Sequence, residues 1–380
     1  MKYFKLVLFI MVVGLPGCSE DKPQDAVHCR AEIKNVLLKS GPGWNTNFKI
    51  CQHILYNQHE SILGYNFNEH KLQALDLETG DTLWQIPLKK EGPEMIPEVV
   101  SFYYHSPDSI FVLSFFYISI IDQQGRVLQK HVINRPESNI NGDDPDETKV
   151  IYCDINHSSP IYYDCDENAL YFAFKPLSPF SEKRFEQALC GRISLDQLIL
   201  DPLPIYLPQK FKDQYYGTYE RPTFLFGDDE IVYGFYLDGD LYRYSKKTGK
   251  TEITTVVTKS IEKNAPPLPV SASDDDPGFM EHLNTWPTFF RISSDGTFFY
   301  RPFVGAFDQA SSRTRKKFVM VYDSNLAALA EFPLPDDVAV LASNIATSNG
   351  VMFLQMNAER EDRSNFLVLV PDCNEYSVGR

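Results

Sequence analysis

Three arginines are the side chains best suited to chemistry in this sequence. Arg221 (before Pro222), Arg291 and Arg301 (before Pro302) fall near expected inner strands of two successive repeat units. A planar guanidinium in such a place can hold a carboxylate or sugar hydroxyls through parallel hydrogen bonds. The plainer reading pairs each arginine with the chain's own carboxylates, and exposed pairs of that kind contribute little. Other constellations fail on inspection. Lys247-Thr248-Gly249-Lys250-Thr251 has the tail of a phosphate-binding loop, but that loop needs glycine where Tyr244 stands, and a helix after it. His59-Glu60 runs on into Ser61-Ile62-Leu63 rather than to a second histidine, and His53, His59 and His70 share no dependable face. No Gly-x-Ser-x-Gly elbow occurs. The clusters Asp143-Asp144-Pro145-Asp146-Glu147 and Asp274-Asp275-Asp276 depart from calcium-loop spacing and read as solvated loops. No catalytic residue, cofactor site or metal site is therefore expected.

The N-terminus carries a stronger signal. Met1-Lys2-Tyr3-Phe4-Lys5 is basic, Leu6 to Val13 is apolar, and Gly14-Leu15-Pro16-Gly17 leads to Cys18. A membrane-spanning helix needs about 20 apolar residues, so this shorter run reads as a cleaved signal peptide over residues 1–17. Leu15 and Gly17 before Cys18 resemble the bacterial lipobox, with Pro16 a departure from its commonest form. That resemblance implies a diacylglyceryl group on the Cys18 thiol, cleavage before the cysteine and acylation of the new amine. Several acyl chains anchor stably where one would be marginal. Residues 18–26 then form a lipidated cysteine and polar tether, in which Glu20-Asp21 resembles a Bacteroidetes surface-export tag and equally an ordinary solvated linker. The expected location is the cell envelope, lipid-anchored at the outer membrane, on its surface or its periplasmic face.

Charge and cysteines bound the rest. With 36 basic against 51 acidic residues the net charge is −15, the wrong sign for releasing counterions from nucleic-acid phosphate. The short run Arg313-Thr314-Arg315-Lys316-Lys317 reads as a solvated loop at the start of a strand. Beyond Cys18 there are six cysteines: Cys29, Cys51, Cys153, Cys165, Cys190 and Cys373. An oxidising envelope permits disulfides, but six cysteines allow fifteen full pairings, and buried free thiols fit the sequence as well. Cys153 and Cys165 are the most local pair.

The remaining pattern is of short strands and turns. The 27 Phe and 21 Tyr suit pleated, half-buried surfaces, and only Phe180 to Leu189 has helical spacing. Ser61 to Phe67, Lys71 to Leu77, a turn at Glu78-Thr79-Gly80-Asp81 and Thr82 to Leu88 make one unit. The same order returns around Gln123-Gln124-Gly125 and Lys247-Thr248-Gly249-Lys250. Asp76 and Asp122 are 46 residues apart, and Asp196, taken as a further equivalent, stands 49 before Ser245. Periods near 45 residues with several strands each signify propeller blades. The units fall at about 51–90, 97–135, 157–206, 219–258, 286–334 and 337–373. The last lacks an outer strand, which the stretch Val27 to Leu38 can supply. Closing the ring that way hides an open edge and brings Cys29 toward Cys373. The expectation is an all-β, six-bladed β-propeller closed by an N-terminal strand, one domain over 27–380, with seven blades or two sandwiches as alternatives.

Asp76-Leu77-Glu78-Thr79-Gly80-Asp81-Thr82-Leu83-Trp84 resembles the repeat of quinoprotein-type propellers, in which a tryptophan seals each blade. The mature chain as a whole resembles an uncharacterised family of Bacteroidetes β-propeller lipoproteins. The likeness rests on Cys18, on Asp108-Ser109-Ile110-Phe111-Val112 with Ile121-Asp122-Gln123-Gln124-Gly125-Arg126-Val127-Leu128, and on Phe290-Arg291-Ile292 through Phe299-Tyr300-Arg301. It implies fold and location, and no catalytic residues. The expected function is binding of a glycan, peptide or envelope protein partner by a membrane-anchored, non-enzymatic propeller. A hydrolase or lyase acting on glycans or lactones, and a structural subunit of an envelope complex, are the alternatives, since fold alone does not decide function.

Overall fold

The computed structural model describes residues 29–40, 51–133, 160–174, 182–212, 216, 220–256, 260, 265–268, 281–282, 285–306, 315–340, 344–356 and 363–373. Within them, turn residues every few positions cut the chain into strands that pair with their neighbours in sequence. After β1 (Arg30–Leu38), blade one is β2 (Cys51–Tyr56), β3 (His59–Asn66), β4 (Lys71–Asp76) and β5 (Thr82–Pro87). Blade two is β6 (Ser101–Ser106), β7 (Ser109–Leu113), β8 (Tyr117–Ile121) and β9 (Val127–Val132). Blade three is β10 (Tyr162–Asp164), β11 (Ala169–Ala173), β12 (Cys190–Ser194) and β13 (Leu200–Pro202). Blade four is β14 (Pro222–Phe226), β15 (Glu230–Phe235), β16 (Leu241–Ser245) and β17 (Lys250–Thr254). Blade five has a split first strand, β18 (Thr288–Phe289) and β19 (Ser293–Ser294), before β20 (Phe299–Val304), β21 (Lys317–Tyr322) and β22 (Ala328–Leu334). Blade six is β23 (Asn344–Thr347), β24 (Gly350–Gln355) and β25 (Ser364–Asp372).

Blade six takes its outer strand from the other end of the chain. β1 pairs antiparallel with β25 along its whole length, from Arg30 opposite Asp372 to Leu38 opposite Ser364, giving the order β1-β25-β24-β23. A disulfide between Cys29 and Cys373 stands where the other blades have a hairpin turn between third and fourth strands. Six sheets arise in all among the described residues, so the protein is a six-bladed propeller closed by its N-terminal strand, and the seven-bladed and sandwich alternatives fall away.

The core is a ring rather than a centre. Among the described residues the buried apolar side chains sort into six clusters, one in each gap between neighbouring blades. Leu63 with Phe102 lies between blades one and two, Phe111 with Phe172 between two and three, and Tyr171 with Phe224 between three and four. Val232 with Phe303 follows, then Val319 with Phe353, and Ile62 with Phe366 completes the circle. Second and third strands are therefore covered on both faces; all of Ala169–Ala173 is buried. This is why their sequences run nearly continuously apolar instead of alternating. Fourth strands form the rim and are mostly exposed, as in Lys250–Thr254.

The repeated turn-entry residue has a chemical reason. Asp76, Asp122 and Asp323 are buried at the ends of third strands, and each turns Oδ1 back to accept backbone N–H groups of the following turn. Asp76 accepts from Glu78 and Thr79 at 2.9 and 2.7 Å, Asp122 from Gln124 and Arg126 at 3.0 and 2.9 Å, and Asp323 from Asn325 and Ala327 at 2.9 and 2.8 Å. Ser245 does the same more weakly toward Thr248 at 3.3 Å. In blade three the equivalent is Ser194, whose Oγ accepts from Gln197; Asp196, the expected equivalent, lies within the turn and instead accepts from Asn168. Gly80 takes a positive φ of 72° in the first of these turns, and a Cβ there would meet Leu37 O of the neighbouring outer strand at 2.1 Å. This turn abuts the rim strand of blade six, and Gly125 likewise comes against Ile86 and Pro87 of the blade-one rim strand, where glycine fits the close approach. The corresponding turns of blades three and five carry Leu198 and Leu326 at positive φ instead.

Two smaller expectations need correction. Within the expected helical stretch Phe180 to Leu189, the described residues from 182 onward form only a 3-10 turn, Glu182–Phe185. Arg315 and Lys317 of the basic run are not a solvated patch. Arg315 donates through Nε to Gly305 O at 2.8 Å and through Nη2 to Thr288 Oγ1 at 3.3 Å, while Lys317 Nζ donates to Val338 O at 2.6 Å. Backbone carbonyls bind these cations more closely than water would leave them. Both acidic clusters and Cys153 lie outside the described residues.

Candidate functional site

Antiparallel succession gives the disc two unlike ends. First strands run from one end to the other, and they join second strands through turns as short as Asn57–Gln58, Pro107–Asp108 and Ser348–Asn349. Third-to-fourth turns lie at that same tight end. The strand ends that the remaining connections join lie at the opposite end. Those between blades are long in sequence, at 88–100, 133–161, 203–221, 255–287 and 335–343, as are three within blades, at 174–189, 305–316 and 356–363, whereas 67–70, 114–116 and 236–240 are short. Long connections on a rigid scaffold are where binding residues concentrate. At this end blades six, one and two also expose large apolar side chains in consecutive order, Met356, Phe67 and Phe115.

First strands of neighbouring blades approach one another and wall the central channel. Gln52 of β2 holds the backbone of Tyr104 in β6, donating to its carbonyl at 3.0 Å and accepting from its N–H at 2.7 Å. Asn344 Nδ2 of β23 donates to Ser293 Oγ of β19 at 2.9 Å, and Ser101 Oγ accepts from Ile161 N at 3.3 Å. These are polar clasps between inner strands, positioned by side chains that a rim strand would give to solvent.

The three arginines fall in three different places. Arg221 is exposed directly before β14, at the long-connection mouth. Arg301 is buried on β20, between blades four and five. Its Nη2 donates to Phe235 O and Asp238 O at 2.8 and 3.0 Å, its Nη1 to Gly239 O and Asp240 O at 3.0 and 3.2 Å, and its Nε to Phe290 O at 3.4 Å. The guanidinium lies 4.5 Å from the Phe289 ring centroid, and Gly234 makes room for it, since a Cβ there would come within 2.7 Å of Nη2. Among the described residues Arg301 pairs with no carboxylate, because the β15–β16 connection offers a nest of carbonyls that its planar fork takes up.

Arg291 is the one the channel keeps. It sits in the gap between β18 and β19, where the first strand of blade five is interrupted. Its charge is felt by Cys51 at the start of β2 in blade one, and by Tyr236 after β15 in blade four. Blade six stands between blades five and one, and its first strand, β23, lies against both β19 and β2. Burial holds Arg291 below its ordinary pKa, with Tyr236 and Cys51 acting the other way; burial likewise pushes the Cys51 thiol up to about 12, which keeps it neutral. Arg291 Nε is buried and has no hydrogen-bond partner among the described residues. On the face of β2 that carries Cys51, His53 also buries Nε2 without such a partner, and burial lowers its pKa despite Glu60.

One titrating residue escaped the sequence reading. Glu220, next to Arg221, is buried, and burial lifts its carboxyl to about 7 against the opposing pull of Arg184 and the Tyr216 N–H. Arg184 Nε stands 3.5 Å from it and Tyr216 N donates to it at 3.1 Å. Nothing in Glu220-Arg221-Pro222 announces burial, because the groups that cover it come from an earlier connection. Among the described residues no group of three or more acidic, His or Cys side chains is arranged to hold a metal ion.

Disc, channel and unlike ends together define the class: a six-bladed propeller with a one-ended elaboration. Residues 44–332 match the family model of a domain of unknown function, DUF4221, and the chain belongs to that family. A solved member of the family from Bacteroides vulgatus is similar at 16% identity, with 92% of this chain and 99% of that one covered and a TM-score of 0.72. A protein described as exported from Bacteroides fragilis is similar at 11% identity over 91% and 96% of the two chains, with a TM-score of 0.57. At those identities the likeness speaks to fold. No curated protein matches the chain.

Proposed function

We propose that this is a lipid-anchored envelope protein whose propeller binds a glycan, peptide or protein partner, without chemistry of its own, at the long-connection end. The observation that carries the reading is the division between the two ends. The disulfide and the start of β1 lie on the tight-turn side, so a tether running from Cys18 to Cys29 leaves from there. The long connections, Arg221 and the exposed Phe67, Phe115 and Met356 lie on the other side. An anchor and a binding face at opposite ends present that face away from the membrane. The signal anatomy before Cys18 and the similar protein described as exported support the envelope location.

Two measurements test this. Metabolic labelling with a fatty-acid analogue should mark the wild-type protein and not Cys18→Ala; equal labelling removes the anchor. The mature protein should show thermal-shift hits in glycan and peptide libraries, weakened about tenfold or more by combined Phe67→Ser and Phe115→Ser, the scale of losing about 1.4 kcal/mol of contact. Hits indifferent to that double change, and to Arg221→Ala, put binding elsewhere and overturn the assignment of the face.

A further inference from the structure

We infer that Arg291 is the anchor of a carboxylate-binding site inside the central channel, and that the ligand this propeller takes carries a free carboxylate. This rests on the binding reading above and names the chemistry that the site would recognise.

The argument begins with what is missing around Arg291. The chain holds 51 acidic against 36 basic residues, and its other interior cations find partners. Lys246 pairs with Asp164 at 2.8 Å, both nearly buried, Arg301 takes five carbonyls, and Arg315 takes carbonyls and a hydroxyl. Arg291 has no carboxylate or carbonyl partner among the described residues; its electrostatic neighbours are a phenol and a thiol, Tyr236 and Cys51. Arg291 is half-buried, with its Nε out of reach of water and unpartnered among the described residues. A partly desolvated cation without a partner is costly, and an arriving anion offsets that cost. Narrow, low-dielectric walls focus such a charge along the channel, so it acts against the field of an otherwise acidic protein.

Shape selects the anion. A guanidinium presents parallel N–H donors that match a planar carboxylate with two bonds. Tyr236, which acts on the charge of Arg291, lies against Phe290 with ring centroids 6.0 Å apart, so an aromatic wall stands beside the cation. Arg291 lies in the interrupted first strand of its blade, the strand position that walls the channel, and the neutral Cys51 and His53 of β2 contribute no competing anion. A second arginine, Arg221, stands exposed at the mouth of the long-connection end, where it can attract the same ligands as they enter.

The test uses the full mature lipoprotein in detergent micelles, with four probes at millimolar concentration: D-glucuronate against D-glucose, and an N-acetyl dipeptide acid against its C-terminal amide. Either acid or both should raise the melting temperature, and the neutral counterparts should not. Response to both makes a free carboxylate sufficient; response to one alone assigns an acidic sugar or a peptide C-terminus. Arg291→Met should abolish the shift and Arg291→Lys should weaken binding roughly tenfold, since an ammonium keeps charge but not the fork. The unliganded melting temperatures of both variants serve as the folding control. The inference is overturned if no acid shifts the wild type, if Arg291→Met responds equally, or if the neutral probes shift as much as the acids. A library hit that binds at the long-connection end and ignores Arg291 leaves the binding reading intact and removes only the carboxylate, so the two failures are separable.

Discussion

Arg301 and Arg291 stand on the same blade, ten residues apart, and have opposite surroundings. Arg301 is on a second strand, covered on both faces, so every donor it brings inside must find an acceptor; it finds five carbonyls from the blade-four connection and from Phe290. Arg291 is on the interrupted first strand, whose open side is the channel, and its buried Nε finds none among the described residues. The contrast separates an arginine that fastens two blades from one that the scaffold tolerates. Position within the blade, rather than residue type, decides which.

The largest expected effect is on the fastening side. Arg301→Ala leaves five buried carbonyls short of a donor and should lower stability by about 3–5 kcal/mol, the scale of breaking a buried charged contact. Arg301→Lys should recover little of this, because an ammonium cannot reach both sides of the nest. Denaturant midpoints measure both, and a near-native midpoint for Arg301→Ala would erase the contrast.

An intermediate effect belongs to the turn carboxylates, which extend the same rule to anions. For Asp122, burial alone would raise the pKa, but the N–H groups of Arg126 and Gln124 and the Arg126 side chain outweigh it and leave the pKa lowered. A carboxylate lowered in the folded state contributes stability that is present above the unfolded pKa, near 3.9, and lost as pH falls through the folded value. The wild type should therefore lose stability on acidification below about pH 4, and Asp122→Ala should cost about 1–2 kcal/mol at neutral pH while flattening that acid limb. An unchanged limb assigns the acid sensitivity to other groups.

Smallest is the effect at the channel. Arg291→Met should leave unliganded stability within about 0.5 kcal/mol or raise it, since replacing an unpaired interior cation by an apolar side chain removes a desolvation cost. A loss comparable to that of Arg301→Ala would mean that Arg291 also fastens the ring.

Much of the architecture was legible because it is periodic. The six units, the turn glycines and the spare strand over Val27 to Leu38 repeat one local grammar, and the structure follows it to within a few residues. What stayed illegible depends on neighbours from another blade. Asp196 looked equivalent to Asp76 by spacing, yet the strand ends two residues earlier at Ser194, whose hydroxyl can cap the turn. Arg291 and Arg301 look alike in sequence, and only the broken strand and the connection over Tyr236–Asp240 tell them apart. Glu220 is covered by Arg184 from 36 positions upstream, a distance over which local pattern carries no information.

The closure of blade six also sets an order in time. Cys29 and Cys373 are 344 residues apart in sequence, with Cα atoms 4.3 Å apart in space. Blades one to five are each built from consecutive strands and can assemble as the chain is made, whereas β1 must wait unpaired until β25 has been made. Contacts of such separation form late, because the loop entropy must be overcome before they stabilise anything. A nascent or truncated chain is therefore an open ring with bare edges on both sides, prone to pairing with another copy. The ring can latch only after β25 and Cys373 have been made, and the Cys29–Cys373 bond then seals the disc.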